Sequence, residues 1–266
     1  MIHFEFKELD EIALFGDANS RIINWMSLTD GALWLKYGDS VIYEYSEWAI
    51  KAWNKSNPYN DYFIARFIED FSAIFNMISV EVPEELFPYT ANLLAYREYT
   101  EQYLEDERVS IQSKPNFITY EEFCILNNWI SERSFHSSHL IHGPNLSFFR
   151  CGNVLRVAWD VDGVLDNGAP VWRAKSGYFD MSYGEFVSHV KSFADSFFSE
   201  LEKQIYLARE KKWENMYVDH QAIELEQTER KKDFYAMLEV LESKSLHTGQ
   251  WMEIRSLLNK ISSVHP

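Results

Sequence analysis

Nine residues, Asp160-Val-Asp162-Gly-Val-Leu-Asp166-Asn-Gly168, entered from the apolar run Val154–Trp159, constrain the fold more than any other stretch. If Asp160 ends a strand of a parallel sheet, crossover helices and further buried strands must follow it. If the stretch joins two antiparallel strands, Asp, Asn and Gly are the residues such a connection uses. The two readings lead to different folds and different functions. The 98 residues after Gly168 decide between them. They hold one short β-prone run, Pro170–Ala174, and are otherwise periodic helix with charge clusters at 209–214 and 224–233. The antiparallel connection is the expectation.

The rejected reading has a definite chemistry. A strand ending in Asp-x-Asp-Gly-x-Leu-x-Asp resembles the nucleophile loop of a haloacid-dehalogenase-type phosphatase. That resemblance implies a Mg²⁺-dependent enzyme in which Asp160 attacks phosphorus and Asp162 protonates the leaving group. It also requires a Ser or Thr after a second apolar strand, a Lys, and a later acidic pair for the metal. None of these follows Gly168 at a recognisable position, so the catalytic residues Asp160 and Asp162 stand only as the alternative.

The preceding residues read as small antiparallel units. Ile2, Phe4 and Phe6 alternate with His3 and Glu5 as a half-buried strand. Leu33–Tyr37 and Val41–Tyr45 flank Gly38-Asp39-Ser40 as a hairpin. Asp30-Gly31 is expected to turn between Trp25 and Trp34, with these tryptophans pinning the sheet to a helix over 61–78. That helix carries Phe63, Phe67, Phe71, Ile74, Phe75 and Ile78 as an apolar stripe. Thr119-x-x-Glu122 and Ser182-x-x-Glu185 are capping boxes; the second opens a helix with Phe186, Val190, Phe193 and Phe197 on one face. Leu146–Arg150 and Val154–Trp159 make a second hairpin. The fold class is α+β: short antiparallel sheets on aromatic-striped helices, helix-rich toward the C-terminus. Two units are expected, 1–112 as an acidic hairpin-plus-helix half and 113–266 as a second such half with the C-terminal helices, with one continuous domain as the other possibility.

Charge and aromatic content bear on function. Net charge is −16, and residues 1–133 alone hold 23 acidic and 10 basic side chains. This sign excludes a nucleic-acid binder and suits a basic partner. Aromatics make up 16% of the chain and are preferred interface anchors. No apolar run is long enough for a membrane span, and the start lacks a signal-peptide layout, so a cytoplasmic protein is expected. Cys124 and Cys151 form no disulfide framework.

His136, His139 and His142 lie three apart and are the candidate metal ligands, but they sit in a Ser/Gly-rich loop where that spacing defines no common face. The expectation is no metal and no cofactor.

The stretches Asn24–Leu35, Tyr43–Ser46, Ile130–Ser134 and Gly143–Arg150 resemble the bacterial domain-of-unknown-function family 5984. Ala32-Leu33 stands for that family's Trp-Tyr, and Phe148-Phe149-Arg150 for its Phe-Trp-Arg. The resemblance covers roughly residues 1–200 and implies no activity. In style the family is similar to small proteins encoded beside bacterial toxins. The functional expectation is a non-catalytic interaction protein, an immunity protein that neutralises a basic toxin. Its partner surface is the acidic cluster Glu84, Glu85, Glu98, Glu101, Glu105, Asp106 and Glu107. A regulatory module holding a small ligand between sheet and helices is the remaining alternative.

Overall fold

The structure is a computed structural model, and it describes residues 1–16, 21–104, 117–137, 139–140, 142–214, 216–243 and 251–262. The first part of the chain runs β1 (Ile2–Phe6), β2 (Arg21–Ile23), β3 (Asp30–Tyr37), β4 (Ser40–Ile42), α1 (Glu47–Trp53) and β5 (Asn60–Phe63). The helices α2 (Ile64–Ala73), α3 (Phe75–Ser79), α4 (Leu93–Glu101) and α5 (Tyr120–Ser131) follow. Then come β6 (Ser134–Phe135), β7 (Asn145–Cys151), β8 (Val154–Asp160) and β9 (Gly177–Ser182). The long helix α6 (Tyr183–Glu210), β10 (Met216–Val218), α7 (His220–Glu242) and α8 (Trp251–Ser262) complete it. The α+β class read from the sequence holds.

The first sheet is built on β3. One side of β3 pairs antiparallel with β1 along its length, from Ile2 opposite Leu35 to Phe6 opposite Gly31. The other side is shared end to end: β5 pairs with Asp30–Leu33, and β4 with Leu35–Tyr37. Gly31 is demanded by this geometry, because a Cβ there would lie 2.3 Å from the Glu5 carbonyl oxygen. Asp30 and Gly31 are therefore not the turn that the sequence suggests. A 3₁₀ segment at Ser27–Thr29 makes the turn, and Asp30 starts β3. Its buried carboxylate accepts from Lys7 Nζ at 2.9 Å and from the Ala13 amide at 2.7 Å. A buried charge is tolerated when it is paired and hydrogen-bonded in this way.

The second sheet is an antiparallel meander, β6-β7-β8-β9. Leu146, Phe148, Leu155, Val157 and Trp159 face the main core. Phe149 and Ala158, on the opposite face by strand alternation, belong to a second core. Both faces are thus buried, which explains why these strands read as near-continuous apolar runs.

The main core lies between the two sheets, α2 and α6, and draws residues from both sides of position 112. Phe186, Val190, Phe193 and Phe197 of α6 are all buried, as their spacing predicts. Phe4 and Phe6 meet Phe197 at ring distances of 5.7 and 5.5 Å. Each such buried ring contributes about 2–3 kcal/mol relative to exposure. The helix expected over 61–78 is divided: Asn60–Phe63 is strand, and Ile74 interrupts the helix between α2 and α3. Trp25 shares the main core with this helix and is also tied to α7, where its Nε1 donates to Gln227 Oε1 at 2.9 Å. The Thr119–Glu122 capping box forms in both directions. Ser182 accepts the Glu185 amide at 3.2 Å.

In the second core Trp129 meets Tyr96, Phe149 and Trp251 at 6.0, 5.6 and 5.7 Å. Helices α4, α5 and α8 and a 3₁₀ segment at Phe87–Ala91 build it over the outer face of the second sheet. A small parallel pair, β2 with β10, ties the N-terminal region to the segment before α7. Among the described residues no helix is long and apolar enough to cross a membrane.

Candidate functional site

The Asp160–Gly168 stretch lies in the connection between β8 and β9. Asp160 ends β8 opposite Asn145 of β7, and both neighbours of β8 are antiparallel. Val164 bridges Pro170, and the Gly168 amide donates to the Leu165 carbonyl at 2.8 Å, with Gly168 at φ +80°. The stretch is a miniature hairpin. Its Gly163 packs directly on His142, where a Cβ would lie 2.4 Å from the His142 Cβ. Close packing against protein, rather than approach to a phosphate, accounts for this glycine.

Pro170–Ala174 is not a strand of the second sheet. It crosses to the first part of the chain: the Ser46 amide donates to the Val171 carbonyl, and the Arg173 amide to the Glu44 carbonyl, both at 2.9 Å. Trp172 stacks on Tyr45 at 4.6 Å and donates to the His142 carbonyl at 2.6 Å. Pro170–Ala174, which follows the hairpin, is therefore the strap from the second sheet to the segment Glu44–Ser46.

Asp160 lines a cleft of about 110 Å³ shared with Trp159, Ser176, Gly177 and the start of α4 at Asn92 and Leu93. Burial, and secondarily the neighbouring Asp162, raises its carboxyl above the usual aspartate range. Asp162 is exposed, and no lysine lines the cleft.

The three histidines do not converge. His136 is exposed, and His139 packs its ring on Tyr62 at 5.0 Å. His142 takes a left-handed backbone conformation, φ 52°, beside Gly163. Among the described residues no group of three His, Cys, Asp or Glu could hold a metal ion.

The acidic cluster falls on the outer side of the second core. Asn92 caps α4 by accepting the Ala95 amide at 2.9 Å. Tyr96 is buried and donates to the Leu126 carbonyl at 2.7 Å; burial pushes its hydroxyl up to about 12. Asn127 Nδ2 donates to Thr100 Oγ1 at 3.2 Å. With Tyr96 and Thr100 fixed inward, helical spacing turns Leu94, Glu98 and Glu101 outward together. All three are exposed, Leu94 at 60%.

Glu84 and Glu85 precede the Phe87–Ala91 segment and are also exposed. Glu85 pairs with Arg255 of α8, while Glu84, Glu98 and Glu101 have no cationic partner among the described residues. A backbone hydrogen bond at Glu85, helped by Arg255, holds its carboxyl below the usual glutamate range.

Behind the Glu85–Arg255 pair runs a groove of about 330 Å³ between Leu86 and Tyr89 on one side and Leu258 and Ser262 on the other. Tyr99 reaches the same rim, 3.1 Å from Ser262 Oγ. Glu81 joins the cluster without a sequence signal: Cys151 is raised by burial first and then by Glu81, Glu84 and Glu85 gathered beside it. The parallel bridge of Glu81 to Arg150 and the Gly152 amide, which donates to Glu81 Oε1 at 2.8 Å, hold it there. Glu105, Asp106 and Glu107 lie outside the described residues.

The chain belongs to a family of unknown function (DUF5984), whose model matches residues 1–257. The match runs past the roughly 200 residues of the sequence resemblance, through α7 and into α8. No curated protein and no solved structure matches the chain.

Proposed function

We propose that this member of the family is a non-catalytic interaction protein that takes a basic protein partner on the outer face of α4, in the role of an immunity protein that neutralises a toxin. The observation that carries this reading is the row Leu94, Glu98 and Glu101: an exposed apolar side chain beside two carboxylates that form no ion pair among the described residues, with Arg97 the one cation of the same helix. Unneutralised carboxylates around an apolar contact attract a lysine- or arginine-bearing surface and speed its association. The tyrosine-rimmed groove beside them supplies the apolar and hydrogen-bonding area that slows release. The net charge of −16 adds the same sign over long range.

Coexpression with each genomic neighbour tests the idea. The expected result is a neighbour that arrests growth alone, is tolerated with this protein, and co-purifies with it. Replacing Glu98 and Glu101 together by Lys should abolish both protection and co-purification while leaving the melting temperature unchanged. If no neighbour is toxic and none co-purifies, the reading fails.

A further inference from the structure

The free edge of the first sheet carries an interaction that the acidic face does not account for. Pairing with β3 assigns alternate roles to the residues of β1. The Lys36 amide donates to the Met1 carbonyl at 2.7 Å, and the Lys7 amide to the Asp30 carbonyl at 2.9 Å. Odd-numbered residues therefore direct their main-chain groups toward β3. By the alternation of an antiparallel ladder, the N–H and C=O groups of Ile2, Phe4 and Phe6 point off the sheet. Among the described residues nothing bonds them.

The space beside this edge is open. A groove of about 410 Å³ is lined by His3 and Trp34 from the outer face of the sheet and by Ile2, Phe4 and Phe193 from the inner face. Because both faces contribute, the groove wraps the edge of the strand. The α6 side chains on its rim are the short Ser192 and Ser196, with His189 at one end. Unpaired edges in natural proteins are blunted by short length, charged side chains, proline, bulges or a covering element, and of these β1 has only its five-residue length and Glu5. β1 has no proline and no bulge, and its register with β3 is unbroken.

We infer that a second copy of this chain fills the edge, with β1 pairing antiparallel to β1 of the partner subunit about a two-fold axis at Phe4. The two first sheets then become one continuous sheet. Only the main-chain groups of Ile2, Phe4 and Phe6 are free to bond, so three registers centre such an axis on an interior residue of β1. An axis at His3 sets His3 against His3 of the partner subunit. An axis at Glu5 sets Glu5 against Glu5 of the partner subunit, a like-charge pair that destabilises a ladder. An axis at Phe4 instead places His3 opposite Glu5 of the partner subunit, twice by symmetry. It also engages Ile2, Phe4 and Phe6 together, giving about six main-chain hydrogen bonds. The His3 and Glu5 pairs fall at the non-hydrogen-bonded sites, where cross-strand side chains approach most closely. The order His-Phe-Glu is thus self-complementary under a two-fold axis, as an isologous interface requires.

Sedimentation and light scattering over a wide concentration range test this with the full chain. The native protein should dimerise. Glu5→Lys should weaken the dimer by about tenfold or more, since it removes the carboxylate that accepts from the His3 ring at both contacts; burial first, then the N-terminus and Lys36, hold His3 below the usual histidine range. The double variant His3→Glu with Glu5→Lys should restore it by setting a carboxylate opposite an ammonium at both contacts. Both residues are exposed, so thermal melts should stay close to native and separate lost association from lost folding. Amide exchange supplies a second readout: Phe4 and Phe6 should gain protection as concentration rises, while Glu5, already bonded to β3, stays protected throughout. A native protein that is monomeric at every concentration overturns the proposal. So does a dimer indifferent to Glu5→Lys, a double variant that does not recover, or a Phe4 amide protected only when a different protein is added.

Discussion

The two sheets of this protein use similar hairpins in opposite ways. The second is covered on both faces, by the main core on one side and by the Trp129-centred core on the other. The first is buried on one face only. Its outer face carries His3, Trp34 and Tyr59 stacked in sequence, at ring distances of 5.4 and 4.1 Å, and β1 leaves an edge open. Burial on both faces makes a sheet a scaffold whose side chains are spent on packing. Exposure of one face and an edge leaves main-chain and aromatic groups free to recognise something else. Both surfaces proposed for recognition lie where coverage stops: the outward face of α4, beyond the second core, and the edge of β1.

The comparison breaks most easily at Trp129. Trp129→Ala should cost about 3–5 kcal/mol in urea unfolding, because it opens a cavity under three rings. Trp34→Ala, on the outer face of the first sheet, should cost about 1 kcal/mol or less, since that ring keeps contact with water. Equal losses would mean that the two sheets are covered alike.

Next in size is the clamp on the outer face of the second sheet. Arg156 bonds Asp180 through two contacts, at 2.8 and 2.7 Å, and lies between the rings of Phe87 and Tyr178, each 4.3 Å away. Asp180→Ala leaves this buried guanidinium without its counter-charge and should cost about 2–3 kcal/mol. The loss should be measured against Arg156→Met, which removes the charge itself and should cost less.

Gly31→Ala should cost about 1–3 kcal/mol through the forced separation of β1 from β3. By disturbing β1 it should also lower self-association, which sedimentation would record.

The smallest effect is a pH dependence at Asp160. Its folded value is raised, by burial and then by Asp162. The protonated form is therefore favoured by folding: the contribution is fully present below the ordinary aspartate range and is lost as pH rises through the folded value. Asp160→Asn should match the native protein at acid pH and melt at a higher temperature near neutrality. A variant with the same melting temperature at both pH values would remove the cleft from consideration as a strained site.

Much of this architecture was legible because local rules and tertiary packing agreed. The strand alternation of Ile2–Phe6, the Thr119 cap and the phenylalanine stripe of α6 all appear as their patterns require. The misreadings share a cause. Asp30-Gly31 has the composition of a turn, yet Asp30 is bonded to Lys7 and Gly31 is needed for strand approach. Phe63 fits the helical stripe, yet its backbone pairs with Asp30. Pro170–Ala174 has strand propensity, and its partner is a segment about 125 residues earlier that no local window contains. The candidate site divides in the same way. Exposed Glu98 and Glu101 follow from helical spacing once Tyr96 is inward, whereas Glu81 is set beside Cys151, near Glu84 and Glu85, by its pairing with Arg150.

By itself the sequence determined most of the strands and helices, and which of their faces are apolar, because periodicity and capping act over a few residues. Only the tertiary structure decided that Asp160–Gly168 is a hairpin leading into the Pro170–Ala174 strap, that both faces of the second sheet are covered, and that the edge of β1 is left open. Each of those depends on which distant segment pairs with which, and that choice is made by the burial of the whole chain.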